Sequence, residues 1–299
     1  MTSNSTCGYQ FSSEAAWFID HVEASRACAQ SKLTTQPNLG LLDVVYESDD
    51  GSLGESRGWG GFARYVQRLN DKADPSTSYK VLLVVRHGRG VHNVVMDEVG
   101  SAEWKRHWSK LDGDGNRTWY DAELVDEGVE QAKALGDFFA EGVKNMGFPV
   151  PETLYTSPLA RCLETTKLVF KGVLEEQGRP FKPIVKELLR ERLTNHTCDR
   201  RRARTWITAT YPEYELETAF AEEDVLWHAD RSESNVENAA RTQTLFEDIW
   251  KENSGTFIAL VTHSFALSSI LEVIHAPHFR VGEGVMTAFL VKGQRLGIS

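Results

Sequence analysis

Arg86, His87 and Gly88 stand directly behind the unbroken apolar run 81–85, and Asn93 follows five residues past the glycine. An imidazole beside a guanidinium, with no ligand cluster nearby, is poorly suited to a metal ion. It suits attack on an anion, phosphate above all, because guanidinium forks match phosphate oxygens bidentately. A second apolar run, 257–262, ends in His263, and the segment Ser157-Pro158-Leu159-Ala160-Arg161 puts another Arg on the first turn of a helix. Such a turn offers free N–H groups and the positive end of the helix dipole. Arg86, His87, Arg161 and His263 are therefore expected to converge in a cationic pocket, with Asn93 as a neutral donor.

The elements that must position them follow from hydrophobic period. Short continuous apolar runs read as buried strands, and strand ends at the C-terminal edge of an open α/β sheet are where ligands bind. Further strands are expected at 154–156, 184–187 and 285–291, with a short one at 41–46. Helices are expected at 14–30, through Phe62, Tyr65, Val66 and Leu69, from Asp126 to Asn145, after a Ser157 cap with Pro158, at 236–251 and at 265–275. The first residues read as loose, 49–61 as loop and 71–78 as a connector. Alternating strands and helices predict an α/β fold, a three-layer αβα sandwich whose central sheet is mostly parallel with helices on both faces. Residues 1–79 read as an N-terminal extension packed on a main domain at 80–299, which carries insertions at about 94–120 and 192–235.

The 299 residues carry a formal charge of −10, which disfavours a nucleic-acid partner and requires cations to be concentrated locally around an anionic substrate. Four scattered cysteines form no Cys-x-x-Cys pair, so no disulfide framework is expected. Without an export signal or a membrane-length apolar stretch, a soluble protein of the cytoplasm or nucleus with no membrane partner is expected. Asp112-Gly113-Asp114-Gly115-Asn116 invites a calcium-loop reading. The Gly at its second position and the following Trp119 and Tyr120 favour a plain turn.

Four ordered segments resemble the histidine phosphatase, or phosphoglycerate-mutase-like, superfamily: 83–88, 124–132 with Gly128 and Gln131, 155–161 followed by Glu164 and Thr165, and 260–263. Together they cover residues 80–291. Residues 1–79 are similar only to a fungal phosphomutase-like subgroup, which shares the Arg-His-Gly-x-Gly-x-His-Asn form at 86–93.

The resemblance implies that neutral His87 attacks phosphorus and forms a phosphohistidine. It implies that Arg86, Asn93, Arg161 and His263 hold the phosphoryl oxygens. A carboxylic acid then protonates the leaving oxygen and afterwards activates water. Glu191 is chosen for that role, with Glu187 as the fallback. No metal or other cofactor is implied. The expected activity is metal-independent phosphatase action on a small phosphomonoester or diphosphate. A phosphomutase and an inactive phosphate-binding interaction domain are the alternatives.

Family mutases carry Ser or Thr and Trp where this chain has Gly90 and His92, which favours removal of phosphate over its transfer. Ser264 stands where the family usually has Gly. Arg89, His92, His196, Arg200 and Ser264 are candidate substrate contacts. The Arg-rich run 199–204 is either a substrate clamp or a solvated basic helix face, the latter being commoner. Trp104, Trp108 and Trp119 could form a lid, but core packing is the commoner use of such residues. Specificity is expected in 94–120 and 192–235, and oligomeric state is left open.

Overall fold

The computed structural model describes residues 8–46 and 57–297. Its strands are Tyr9–Ser13 (β1), Lys32–Leu33 (β2), Thr77–Arg86 (β3), Thr153–Thr156 (β4), Ile184–Val185 (β5), Glu215–Leu216 (β6), Phe257–Thr262 (β7), Arg280–Val281 (β8) and Met286–Arg295 (β9). The helices are His21–Ala27 (α1), Gly58–Lys72 (α2), Val91–Val99 (α3), Ser101–Arg106 (α4), Asp126–Asn145 (α5), Ala160–Glu176 (α6), Arg204–Thr210 (α7), Asn235–Glu252 (α8) and Ser264–Val273 (α9).

Seven strands form one sheet in the order β1-β9-β3-β7-β4-β5-β6, while β2 and β8 pair separately. From β3 to β6 the sheet is parallel, and β9 runs antiparallel to both β3 and β1. Side chains alternate across it. Val81, Leu83 and Val85 join a core with Phe62 of α2, Phe139 of α5 and Val169 of α6. Leu82 and Val84 face the other way, towards Phe246 of α8 and Ile270 of α9. The result is the expected αβα sandwich with a mostly parallel sheet. Among the described residues no helix is long and apolar enough to cross a membrane.

Several local expectations change. No long helix fills 14–30: Tyr9–Ser13 is an edge strand paired in full register with β9, and α1 begins only at His21. Asp20 caps α1, its Oδ1 accepting the Val22 and Glu23 N–H groups at 2.8 and 3.0 Å. Residues 41–46 form no strand. Leu41 makes an isolated bridge to Phe18, and the left-handed φ of 53° at both Asn38 and Leu39 turns the chain just before it. Within the loop expected at 49–61, residues 49–56 lie outside the described residues, and α2 starts at Gly58. The strand at 184–187 stops at Val185, so Glu187 belongs to a 3-10 turn. Asp112–Asn116 is a turn in which Asp114 Oδ1 accepts the Asn116 and Arg117 N–H groups at 2.9 and 2.7 Å.

Trp104 and Trp119 are buried in a satellite core with Val95, Ala122 and Cys198, and Trp108 packs against it. They are core residues.

Candidate active site

The register of the central strands sets the site. Arg86 lies opposite Thr262, so His87 and His263 leave neighbouring parallel strands one residue later, side by side. Their rings meet edge to face with centroids 5.0 Å apart. The loop after β3 is clamped by two glycines: a Cβ on Gly88 would lie 2.3 Å from the Gly128 carbonyl oxygen, and one on Gly128 would lie 2.0 Å from that of Arg89. Only bare backbone lets the start of α5 approach so closely.

His87 is buried, and its Nδ1 lies 2.7 Å from the Gly88 carbonyl oxygen. A carbonyl can only accept, so Nδ1 carries the proton and Nε2 keeps its lone pair. Arg161 Nε donates to that Nε2 at 3.2 Å. Burial, then the charges of Arg161 and Arg86, hold the His87 pKa well below the usual histidine range. The imidazole is therefore neutral near pH 7.

Arg161 is buried and doubly anchored, its Nη1 donating to the Cys198 carbonyl at 2.7 Å and its Nη2 lying 3.4 Å from Asp199 Oδ1. Arg86 is held by the Val281 carbonyl at 2.7 Å and by Glu283 at 2.6 Å. The buried Nε of Arg86 has no partner among the described residues. His263 Nε2 lies 2.8 Å from Ser157 Oγ and 3.3 Å from Cys162 Sγ. Burial and Arg161 lower its pKa too. Asn93 is buried, and its Oδ1 accepts the Gly90 N–H at 3.0 Å, fixing the turn into α3. The five expected phosphate-site residues thus gather at one edge of the sheet.

Glu191 joins them from the chain beyond β5. Its Oε1 accepts the Ala266 N–H on the first turn of α9 and its neighbour Arg192's N–H, each at 3.0 Å. Burial and the nearby negative charge of Asp199 raise its pKa above the usual carboxylate range. The fallback Glu187 is committed elsewhere, to Arg201 at 2.5 Å and Arg190 at 3.3 Å. That ion-pair network extends through Arg190 to Asp224, so Glu187 is engaged as a structural anchor.

The remaining candidates spread around the rim. His92 is 5.8 Å from His87 between ring centroids, and its buried Nδ1 has no partner among the described residues. A Cβ at Gly90 would come 2.8 Å from that Nδ1, so the glycine makes room for the imidazole. Arg89 is neutralised by Asp97 at 2.5 Å and Glu127 at 3.4 Å. Ser264 opens α9 beside His263, and His196 meets the edge of Trp104. The expected basic helix face is absent, because α7 begins only at Arg204. Arg201 is fully buried, while Arg200 is exposed.

Several contributors escaped the sequence reading. The cap of α6 is not Ser157: Leu159 is the N-cap residue, and the Ala160 N–H is received at 2.9 Å by buried Asp121. Ser157 Oγ faces His263 Nε2 at 2.8 Å and receives the Leu159 N–H at 3.4 Å. Asp199 and Glu283 orient the two arginines from distant segments; Asp199 had a signal only in adjoining the Arg run, and Glu283 had none. No ligand cluster was visible in sequence, yet His196, Cys198 and Asp199 each bring one ligand atom within 4.8 Å of the others. Asp199 already serves Arg161 and Thr194, and burial pushes the Cys198 thiol up, so this trio is a poor match for a thiolate metal site.

The sequence profile of the histidine phosphatase superfamily (branch 1) matches residues 82–281. The chain is 42% identical over 255 residues to the "Probable phosphoglycerate mutase" of Arthroderma benhamiae, covering 85% of this chain and 76% of that protein. It is 30% identical over 233 residues to "Probable phosphoglycerate mutase PMU1" of Saccharomyces cerevisiae, covering 72% and 79%. Among solved structures it is similar to a mycobacterial glucosyl-3-phosphoglycerate phosphatase, with 22% identity, a TM-score of 0.39, and coverage of 67% and 83%.

Proposed function

Because this chain belongs to the histidine phosphatase superfamily, we propose that it is a metal-independent phosphatase acting on a small phosphomonoester or diphosphate. The observation that carries this reading is the locked tautomer of His87. Its proton sits on Nδ1 against the Gly88 carbonyl, and its Nε2 lone pair faces the guanidinium of Arg161.

In the first step Nε2 bonds to phosphorus as the bond to the leaving oxygen breaks, and protonated Glu191 gives its proton to that oxygen. Arg86, Arg161, Asn93 and His263 hold the other three oxygens as charge redistributes. In the second step the Glu191 carboxylate takes a proton from water. The water oxygen bonds to phosphorus, and the phosphorus–nitrogen bond breaks to release phosphate and restore His87.

A mutase reading draws on the names of the two fungal relatives. It requires the phosphoryl group to outlast exchange of the leaving group. Gly90 and His92, in place of the bulkier pair the resemblance associates with mutases, favour hydrolysis.

The test is phosphate release across a panel of phosphorylated metabolites, with His87→Ala as the control and acid-labile phosphoprotein trapped after rapid quenching. Release abolished by His87→Ala is expected. Full activity in that variant would sink the mechanism. Interconversion of 2- and 3-phosphoglycerate faster than release would select the mutase.

A further inference from the structure

Arg200 differs from most of the cations around this edge of the sheet, and from Arg192, which Asn235 Oδ1 holds at 2.7 Å. Arg86, Arg89, Arg161, Arg190, Arg201 and Arg202 all face carboxylates. Arg200 is exposed, and among the described residues its guanidinium makes no hydrogen bond or ion pair. It is nonetheless positioned. The guanidinium lies against the rings of both Tyr120 and Trp227, 5.4 Å from each centroid.

Those rings are themselves fixed. The Tyr120 hydroxyl donates to the Arg201 carbonyl at 3.2 Å, and Trp227 Nε1 donates to the His196 carbonyl at 2.9 Å. Two aromatic faces hold a guanidinium by cation–π attraction while leaving its N–H edge open to an acceptor. Arg200 is also linked to the phosphate-site residues along two routes. The residue before it, Asp199, anchors Arg161. Trp227 hangs from His196, whose positive charge would oppose that of His92, the neighbour of His87.

We infer that Arg200, clamped between Tyr120 and Trp227, receives a second anionic group, carboxylate or phosphate, on the leaving portion of the substrate. This rests on the phosphatase reading and narrows its substrates to doubly anionic phosphomonoesters. The two arms share one chemistry, an oxyanion offering paired acceptors to a planar fork.

Two matched pairs test it: 3-phosphoglycerate against glycerol 3-phosphate, and glucose 1,6-bisphosphate against glucose 6-phosphate. The first pair separates a carboxylate from a neutral alcohol, the second an added phosphate from a hydroxyl. The full-length protein is expected to prefer the doubly anionic member of at least one pair in kcat/KM. Arg200→Met is expected to reduce that selectivity ratio about tenfold or more, chiefly through KM, and Arg200→Lys to restore part of it.

No preference in either pair, while p-nitrophenyl phosphate is turned over in a His87-dependent way, overturns the inference and leaves the phosphatase reading standing. A ratio unchanged in Arg200→Met, with both members slowed alike, overturns it as well and makes the clamp a packing device. Failure of the wild-type protein to hydrolyse any ester removes the phosphatase reading and the inference with it.

Discussion

Arg161 donates from Nε to Nε2 of His87 at 3.2 Å, so the proposed nucleophile and its principal cation are in contact before any substrate arrives. The direction of the bond matters. A donor on Nε2 keeps the imidazole neutral and aims its lone pair at the guanidinium, where an incoming phosphoryl oxygen would also be drawn. Arg161 in turn takes its orientation from Cys198 and Asp199, residues of the segment expected from sequence to set specificity.

Asp199→Asn is therefore expected to act on two groups together. It loosens one anchor of Arg161 and removes the negative charge that raises the Glu191 pKa. Steady-state kinetics should show kcat reduced by about tenfold, with the alkaline limb of the rate profile displaced to lower pH. An unmoved limb would separate Asp199 from Glu191.

The pH dependence has a defined sign. In the proposed reaction His87 must be neutral, and its pKa is lowered, so activity is expected to persist below the ordinary histidine range and to fall only in stronger acid. Glu191 must be protonated for the first step, and its pKa is raised, so activity falls as pH rises through a value above the ordinary carboxylate range. A bell with an acidic optimum is expected in kcat/KM. Glu191→Gln should abolish the alkaline limb and slow alkyl phosphates more than p-nitrophenyl phosphate, whose leaving group needs no proton.

Arg201 makes its case through stability. Its Nε pairs with Glu187, and its two Nη atoms donate to the carbonyls of Arg202, Ala221, Glu222 and Glu223. Arg201→Met takes from the Glu187 carboxylate one of its two arginine partners and leaves these carbonyls without their donor at once. Denaturant unfolding should show a loss of about 3–5 kcal/mol, the usual cost of breaking a buried ion pair from one side. A loss under about 1 kcal/mol would mean that the 220–224 segment does not depend on this latch.

Gly128→Ala addresses the backbone clamp. The added Cβ meets the Arg89 carbonyl oxygen at 2.0 Å, a backbone contact that cannot be relieved by turning a side chain. Thermal unfolding should shift downwards by several degrees, as overpacking costs about 1–3 kcal/mol. Phosphatase activity should fall with it, because the His87 loop must move. Wild-type activity and stability in this variant would refute the clamp.

The legible part of the molecule was the part written in local pattern. The apolar runs behind Arg86 and His263 specified strands, and their parallel register brings His87 and His263 together. Pro158 marked a chain turning into α6, yet the cap comes from Asp121, whose link to Ala160 is tertiary. The same limit hid Asp199 and Glu283: a carboxylate that orients an arginine from another element leaves no periodic trace. At the N-terminal side, the helix expected over 14–30 shrinks to His21–Ala27, its start set by the Asp20 cap. Arg201 shows the reverse error, since a charge run suggests solvent while its partners, scattered over 187–223, place it inside.

The placement of β3 also governs how the chain can fold during its synthesis. Both neighbours of this strand arrive late: Val81 pairs with Phe257 on one side and with Leu290 on the other. At about 5–20 residues per second on the ribosome, β7 follows β3 by roughly ten seconds or more. Throughout that interval the apolar run 81–85 has two open edges, and His87 stands without His263, which has yet to be made. The strand that leads into His87 is thus made early and completed late, and a nascent chain halted before Phe257 presents it as a template for association with other chains.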